Sequence, residues 1–216
     1  MSDPQVLRVF VDRNGEHGNP LGVYLDAAGV EADERQRIAA ELGFSETVFV
    51  EDRTGGRMRI HTPEVELPFA GHPCVGTAWL LAQQGTPVET LRPPAGEVGV
   101  RLEDERTWIS ARPEWCPAFR FLQLGSPAEV DALDPASAEG DVYAWAWADE
   151  PGGTIRARCF VPEAGIAEDE ATGSAALGLA ARLGRAIEVR QGRGSILSAR
   201  PAAGGQAEVG GLALAP

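Results

Sequence analysis

The sequence has 216 residues, of which 44% are hydrophobic and 24% charged, with a formal net charge of −13. The hydrophobic content is enough for a packed core, which excludes a disordered chain, and the acidic excess argues against nucleic acid and anionic membranes as partners. Because the first residues lack the basic and apolar regions of a signal peptide, and no apolar run approaches the ~18 residues of a membrane span, we expect a cytoplasmic protein.

The first half of the chain alternates predicted strands with two predicted helices. A first helix is predicted at EADERQRIAAELG, with acidic residues at its start and Gly43 at its end. A second helix, apolar on nearly all sides, is predicted from His72 to Gly85. Pro73 suits its first turn, but imidazole is a poor helix cap, so local propensity does not explain His72. Strands are predicted at QVLRVFVD, LGVYLD, ETVFV and RMRIHT.

The second half is predicted to consist mainly of strands around one further helix at Gly173–Gly184. The segment from Arg112 to Gly140 is rich in proline, alanine and acidic residues and is predicted to be irregular. Strands are predicted at EVGVRL, RTWISA, VYAWAWA, TIRARCFV, AIEVRQG, SILSA and AEVGGLAL.

Two stretches of the sequence resemble each other, which indicates an internal duplication. IHTPEVELPFAGHPCVGTAWLLAQQG aligns with CFVPEAGIAEDEATGSAALGLAARLG, and Gly71-His72 corresponds to Gly173-Ser174 at an offset of 102 residues (173 − 71). Chance similarity between helices rich in small residues is the alternative. Two buried helices, each wrapped by strands, predict an α+β fold of two similar lobes, which we place at residues 1–100 and 101–216.

If the lobes face each other, the N-termini of both apolar helices point into one cleft. The unpaired N–H groups and partial positive charge of each N-terminus would then bind a carboxylate. His72 and Ser174 would occupy equivalent places, although His72 could equally hydrogen-bond only a loop carbonyl. Glu46 is either a carboxylate shielded by Phe44 and Phe49, suited to acid–base work, or a solvated strand-edge residue.

Some chemistry is excluded by residues that the sequence lacks. All 19 basic residues are arginine, so Schiff-base and pyridoxal phosphate chemistry, which need a lysine amine, are excluded. Cys74, Cys116 and Cys159 are odd in number and widely spaced, which fits neither a disulfide framework nor a zinc site. The three histidines also lack metalloprotease spacing, and we expect no metal site.

Several motifs together resemble the PhzF-like family, which is named for phenazine biosynthesis. They are SETVFV, TPEVELPFAGHP, EDEATGSAA, the C-terminal VRQGRGSILSARP and GNPLGVYLD, the last similar to the family's GNPLAVVLD segment. The resemblance runs from about Val9 to about Ala213 and implies the diaminopimelate-epimerase-like fold. In that fold each lobe is a curved, mostly antiparallel sheet around a central helix. The resemblance also implies isomerisation by proton transfer without a cofactor.

The same resemblance implies which residues form the site. Glu46 of the SET motif corresponds to the family's acid–base group, and His72 and Asp169 complete the expected catalytic set. Without the resemblance, Asp169 and Glu170 have an ordinary explanation as acids near a helix start. The expected substrate-binding residues are Gly71 and Gly173, whose N–H groups would hold a substrate carboxylate, together with Ser174, Asn19 and Thr172.

The chain also departs from the family pattern. Glu170 replaces a usual proline, QGRGSILSARP differs from the usual QG…GRPS, and the chain is shorter, with the shortfall expected between Arg112 and Val142 in the second lobe. Related racemases use two cysteines in turns where this chain has none, so a thiol-dependent racemase using Cys74 or Cys159 is a weaker alternative.

These observations predict a homodimeric isomerase that moves a proton on a small anionic, carboxylate-bearing substrate. The alternative is a non-catalytic family member that binds a small molecule or a protein, because a trimmed second lobe and Glu170 could have removed the chemistry.

Overall fold

The structure is a computed structural model, which describes residues 3–215. Its first part consists of β1 (Gln5–Val11), β2 (Asn19–Tyr24), α1 (Ala32–Leu42), β3 (Glu46–Asp52), β4 (Arg57–His61), β5 (Glu66–Leu67) and α2 (Gly71–Gln83). β2 pairs antiparallel with β1 and parallel with β3, and β3 pairs antiparallel with β4. α1 is therefore the crossover that a parallel pair of strands requires.

The same succession of elements occurs again from residue 120 to residue 183. It consists of β9 (Arg120–Gln123), α3 (Pro127–Asp131), β10 (Val142–Asp149), β11 (Thr154–Val161), β12 (Ile166–Asp169) and α4 (Gly173–Leu183). β9 pairs parallel with β10, and β10 pairs antiparallel with β11, as β2 and β4 do with β3. α2 and α4 both begin at the glycine that the sequence repeat aligns.

Six further strands join the two repeats into one sheet. They are β6 (Thr90–Leu91), β7 (Val98–Glu103), β8 (Arg106–Ala111), β13 (Ile187–Gln191), β14 (Ser195–Pro201) and β15 (Ala207–Leu214). β15 pairs antiparallel with β1, β8 and β14, so the strand order runs without a break from β5 through β1 and β15 to β9. The lobe boundary between residues 100 and 101 falls within β7 and stays a prediction.

α2 and α4 are the buried centres of this sheet. Ten of the 13 residues of α2 are buried, and the helix packs against β1, β8 and β15, whereas α4 packs against β14 and β15. Gly76 allows the close approach of α2, because a side-chain carbon there would lie 2.5 Å from the Leu21 side chain. A helix surrounded by strands explains why both sequences are apolar on nearly all sides.

Within residues 3–215, no helix combines the length and the apolar character that crossing a membrane would require.

The segment from Arg112 to Gly140 is more regular than predicted. It contains β9 and α3, the counterparts of β2 and α1 in the first repeat. Ser126 caps α3 by accepting a hydrogen bond from the Glu129 N–H at 3.3 Å. The prediction was wrong because β9 has four residues and α3 has five, which is too short for hydrophobic periodicity to show.

Candidate active site

The N-termini of α2 and α4 meet backbone to backbone. A side-chain carbon on Gly71 would lie 2.7 Å from the carbonyl carbon of Gly173 and 2.8 Å from the Ser174 nitrogen. A side-chain carbon on Gly173 would likewise lie 2.8 Å from the His72 nitrogen. No side chain within residues 3–215 caps either N-terminus. Both helices therefore direct their free N–H groups and positive dipole ends to the same place, where an anion would be stabilised.

Glu46 and His72 form a hydrogen-bonded pair beside these helix starts. Glu46 is the first residue of β3, its side chain is 13% exposed, and its Oε2 lies 2.9 Å from His72 Nδ1. The other ring nitrogen, Nε2, lies 3.2 Å from the Asn19 carbonyl oxygen. A carbonyl only accepts, so Nε2 carries a hydrogen, and the hydrogen between Nδ1 and Glu46 is shared by an acid and a base. His72 thus makes the loop-carbonyl contact and the carboxylate contact together.

The environment of Glu46 pushes its pKa in two directions. Burial raises the pKa of this carboxyl group, but the hydrogen bond and positive charge of His72 outweigh burial and bring the pKa below its usual value. Glu46 is consequently an ionised carboxylate at neutral pH, which is the state that a general base requires.

Asp169 is the second buried carboxylate of the site. It ends β12, and its Oδ1 accepts a hydrogen bond from Asn19 Nδ2 at 2.7 Å, while its Oδ2 accepts one from the Thr172 hydroxyl at 2.6 Å. Burial, followed by the nearby charge of Glu46, raises the pKa of Asp169 to about 7. The two carboxyl groups therefore differ in protonation near neutral pH, an arrangement typical of acid–base pairs.

A cavity of about 200 Å³ adjoins the two carboxyl groups and the start of α4. Glu46, Asp169, Thr172 and Ser174 border it, and much of the remaining wall is apolar, including Leu67, Phe119, Val161 and Ile166. Four of the eight predicted site residues thus face one cavity. Asn19, His72, Gly71 and Gly173 are buried behind that cavity and do not border it.

Glu170 is held outside this cavity. Its side chain accepts hydrogen bonds from the Arg193 N–H at 3.0 Å and from the Ser195 hydroxyl at 2.8 Å, and Ser195 in turn accepts from the Gly18 N–H at 3.0 Å. The Glu170 carboxylate, at the position where the family pattern has proline, is therefore hydrogen-bonded by the turn between β13 and β14. A larger, open depression of about 410 Å³ lies beside Glu170, but its three arginines are each paired with a carboxylate.

Sequence reasoning missed two residues that support the site. Gln191 on β13 and Tyr143 on β10 are both fully buried. Tyr143 is hydrogen-bonded to Gln191, and Gln191 is hydrogen-bonded to the Asp169–Thr172 turn. The glutamine stands in the VRQGRG motif, which could have drawn attention to it, whereas Tyr143 gave no signal.

The cysteines do not form a nucleophilic pair at the site. Cys74 and Cys159 are both fully buried, and burial raises the pKa of Cys74 to about 12 and the pKa of Cys159 well above its usual value. A thiolate is the reactive form, so these environments disfavour the thiol-dependent alternative.

One group of potential metal ligands lies elsewhere. Ligand atoms of Asp12, Glu16 and His17 lie within 4.8 Å of one another. The Asp12 carboxylate already accepts the N–H groups of Asn14 and Glu16, as in an ordinary turn. This group does not border the candidate cavity.

Comparison with known proteins decides the family. The profile of the phenazine biosynthesis-like protein family matches residues 7–139, which is more than half of the chain. The chain belongs to this family. The chain is 34% identical to trans-2,3-dihydro-3-hydroxyanthranilate isomerase of Pseudomonas chlororaphis, and the match covers 85% of this chain and 84% of that relative. The alignment spans 236 residues, more than this chain contains, so the relative has residues that this chain lacks.

Solved structures confirm the predicted fold class. A predicted epimerase from Pseudomonas aeruginosa matches the phenazine biosynthesis-like chain with a TM-score of 0.75 and 26% identity, covering 100% of this chain and 97% of that one. A proline racemase from Agrobacterium radiobacter matches with a TM-score of 0.66 at 10% identity, covering 99% of this chain and 91% of that one. The predictions of an α+β epimerase-like fold and of an isomerase are confirmed. The roles of individual site residues stay predictions.

Proposed function

We propose that the chain is a cofactor-independent isomerase that moves a proton on a small carboxylate-bearing substrate, with Glu46 as the general acid and base. The observation that carries this proposal is the buried Glu46–His72 hydrogen bond of 2.9 Å beside the two meeting helix N-termini. Glu46 supplies a base, His72 contacts that base, and the helix N-termini would supply N–H groups for an anion. This combination suits proton abstraction next to a carboxylate.

The proposed step moves one proton from the substrate to the enzyme and back, while the electron pair stays on the substrate. Oε2 of Glu46 is occupied by His72, which leaves Oε1 to form an O–H bond with a hydrogen on a substrate carbon. The electron pair of the broken C–H bond moves within the substrate toward its carboxylate or carbonyl oxygen. Oε1 then delivers a proton to a different carbon, and the enzyme regains its starting state. When the proton on Oε1 exchanges with water before its delivery, the product carries a solvent hydrogen.

The other site residues stabilise the charge that develops in this step. The start of α4, where Ser174 borders the cavity, would bind the substrate carboxylate, whose negative charge grows as the proton leaves, and the dipole of α2 would add to this stabilisation. Asp169, with its pKa raised to about 7, can present a hydrogen to the substrate when protonated. His72 keeps Glu46 in place and shares its proton.

Substitution of Glu46 by glutamine tests the proposal. The variant Glu46→Gln keeps the size and the contact with His72 but has no basic carboxylate, so we expect deuterium incorporation from heavy water into the substrate to fall by about 10²–10⁴-fold. The first substrate to measure is trans-2,3-dihydro-3-hydroxyanthranilate, which the name of the P. chlororaphis relative supplies. The control is Glu66→Gln, because Glu66 lies on β5 outside the cavity.

The result also separates catalysis from the non-catalytic alternative. Deuterium exchange at the parental rate in Glu46→Gln would rule out the role of Glu46. Tight binding by the unaltered chain without exchange, across a panel of small carboxylates, would favour a binding protein. The predicted homodimer and cytoplasmic location remain proposals, and light scattering of the purified chain measures the former.

A further inference from the structure

A buried hydrogen-bond network connects Asp169, at the end of β12, to two other strands, β10 and β13. Tyr143 on β10 donates its hydroxyl hydrogen to Gln191 Oε1 at 3.1 Å, and the Thr172 N–H donates to the same oxygen at 3.2 Å. Gln191 Nε2 donates to the Asp169 carbonyl at 2.9 Å and approaches the Thr172 hydroxyl oxygen at 2.8 Å. Tyr143 and Gln191 are 0% exposed, so bulk water does not reach their side chains.

The network fixes the direction of each hydrogen bond. The Thr172 N–H only donates and the Asp169 carbonyl only accepts, so the Gln191 amide has a single satisfied orientation. In that orientation Nε2 is a donor toward Thr172, whose oxygen must accept. The Thr172 hydroxyl hydrogen is then directed to Asp169 Oδ2, at 2.6 Å.

We propose that Gln191, held by Tyr143, is a positioning residue that directs the Thr172 hydroxyl hydrogen onto Asp169 and so favours the ionised form of that carboxyl group. This inference rests on the proposed function in assigning Asp169 to the reaction. The orientation of one buried amide thus adds to burial and to the charge of Glu46 in setting how readily Asp169 gives up its proton. Gln191 acts on the carboxyl group through Thr172, holds the Asp169 backbone directly, and does not border the cavity.

Other titratable groups also face Asp169. Glu46 on β3 and His72 on α2 act on it from the first repeat, and Cys159 on β11 and Tyr143 on β10 lie near it in the second. The first test must therefore alter the Thr172 hydrogen bond while leaving these four titratable groups in place.

The variant Thr172→Val meets this condition. Valine keeps the shape of threonine and the backbone N–H, and Thr172 makes no side-chain helix cap that would be lost. A hydrogen bond to a charged group favours the charged form, so its removal should raise the pKa of Asp169 by about one to two pH units. The measurement is a ¹³C NMR titration of the full chain with labelled aspartate, in which Asp169→Asn identifies the signal.

Thr107→Val is the matched control, because the Thr107 hydroxyl is buried without a partner within residues 3–215. We expect it to leave the titration of Asp169 unchanged. An unchanged titration in Thr172→Val as well would overturn the proposal. Since the measurement needs no substrate, this outcome is distinct from a failure of Glu46→Gln to reduce exchange.

Two further variants distinguish a role of Gln191 in orienting the Thr172 hydroxyl from a purely structural role. In Gln191→Met the amide is lost without a new charge, so the Thr172 hydroxyl is no longer directed at Asp169 and the pKa of Asp169 should rise, by less than in Thr172→Val. Tyr143→Phe loosens the amide and should cause a smaller rise, with Tyr24→Phe as its control. If Gln191→Met does not fold, Tyr143→Phe still decides. A lower unfolding temperature with no change in the Asp169 titration would show a purely structural role and contradict the proposal.

Discussion

At the scale of single residues, the two carboxyl groups of the site differ because their neighbours differ. Glu46 is hydrogen-bonded to His72, whereas Asp169 is buried near the negative charge of Glu46. The pKa of the first falls and that of the second rises, although both are shielded from water. Two carboxyl groups that lose their protons at different pH follow from this placement.

The raised pKa of Asp169 predicts a dependence of stability on pH. Between about pH 4 and pH 7 the Asp169 carboxyl group binds more protons in the folded chain than in the unfolded chain, so its contribution to the free energy of unfolding should decrease as pH rises through this range. The rise from 3.8 to about 7 corresponds to at most on the order of 4 kcal/mol. In urea unfolding, the free energy at pH 5 minus that at pH 8 should be smaller in Asp169→Asn than in the unaltered chain. An equal difference in both would contradict the raised pKa.

The buried thiols predict resistance to alkylation. Iodoacetamide at pH 8 should leave Cys74 and Cys159 unmodified in the folded chain, because both are inaccessible and protonated. Mass spectrometry should find three modified cysteines only after denaturation. Rapid modification of Cys159 with loss of isomerase activity would favour the thiol-dependent alternative.

At the scale of secondary structure elements, the contact between the starts of α2 and α4 leaves no space for a side chain. Gly71→Ala would place a carbon 2.7 Å from the Gly173 backbone, so the helices must separate, and we expect the free energy of unfolding to fall by about 1–3 kcal/mol. Isomerase activity should also fall, because the two sets of N–H groups no longer converge. Urea unfolding and deuterium exchange measure these effects.

Gly178→Ala provides a control within α4. A carbon there would lie 3.4 Å from the Phe121 ring, which is an ordinary contact, and alanine favours the helix by about 1 kcal/mol over glycine. Stability should therefore be unchanged or higher. If Gly71→Ala were as stable as Gly178→Ala, the close helix contact would be wrong.

The elements that the sequence predicted are those with enough residues to show a pattern. α1, α2 and α4, with 11 to 13 residues each, were predicted within a few residues of their bounds, and the strands from β10 onward were found apart from the short β12. Glu46 and His72 were identified by motif. The network of Tyr143, Gln191 and Thr172 could not be, because it depends on β13 lying beside β11, a pairing of strands 26 residues apart in the chain (187 − 161).

At the scale of the whole molecule, β15 ties the two repeats together. Its start is flanked by β8 and β14, its end pairs with β1, and both central helices pack against it. We therefore expect urea to unfold the chain in one cooperative transition. Far-UV circular dichroism, which reports the whole sheet, and the fluorescence of Trp108 and Trp145 should change at the same urea concentration. Two separated transitions would show that the lobes fold independently.

The contact between Gly71 and Gly173 also constrains how this protein can change over evolutionary time. The space that one glycine leaves empty is the space that the other's main chain fills, so neither position is free to vary alone. A larger residue at Gly71 or Gly173 should persist only if the opposite helix has already moved away. Descendants of this chain should therefore keep both positions or lose both.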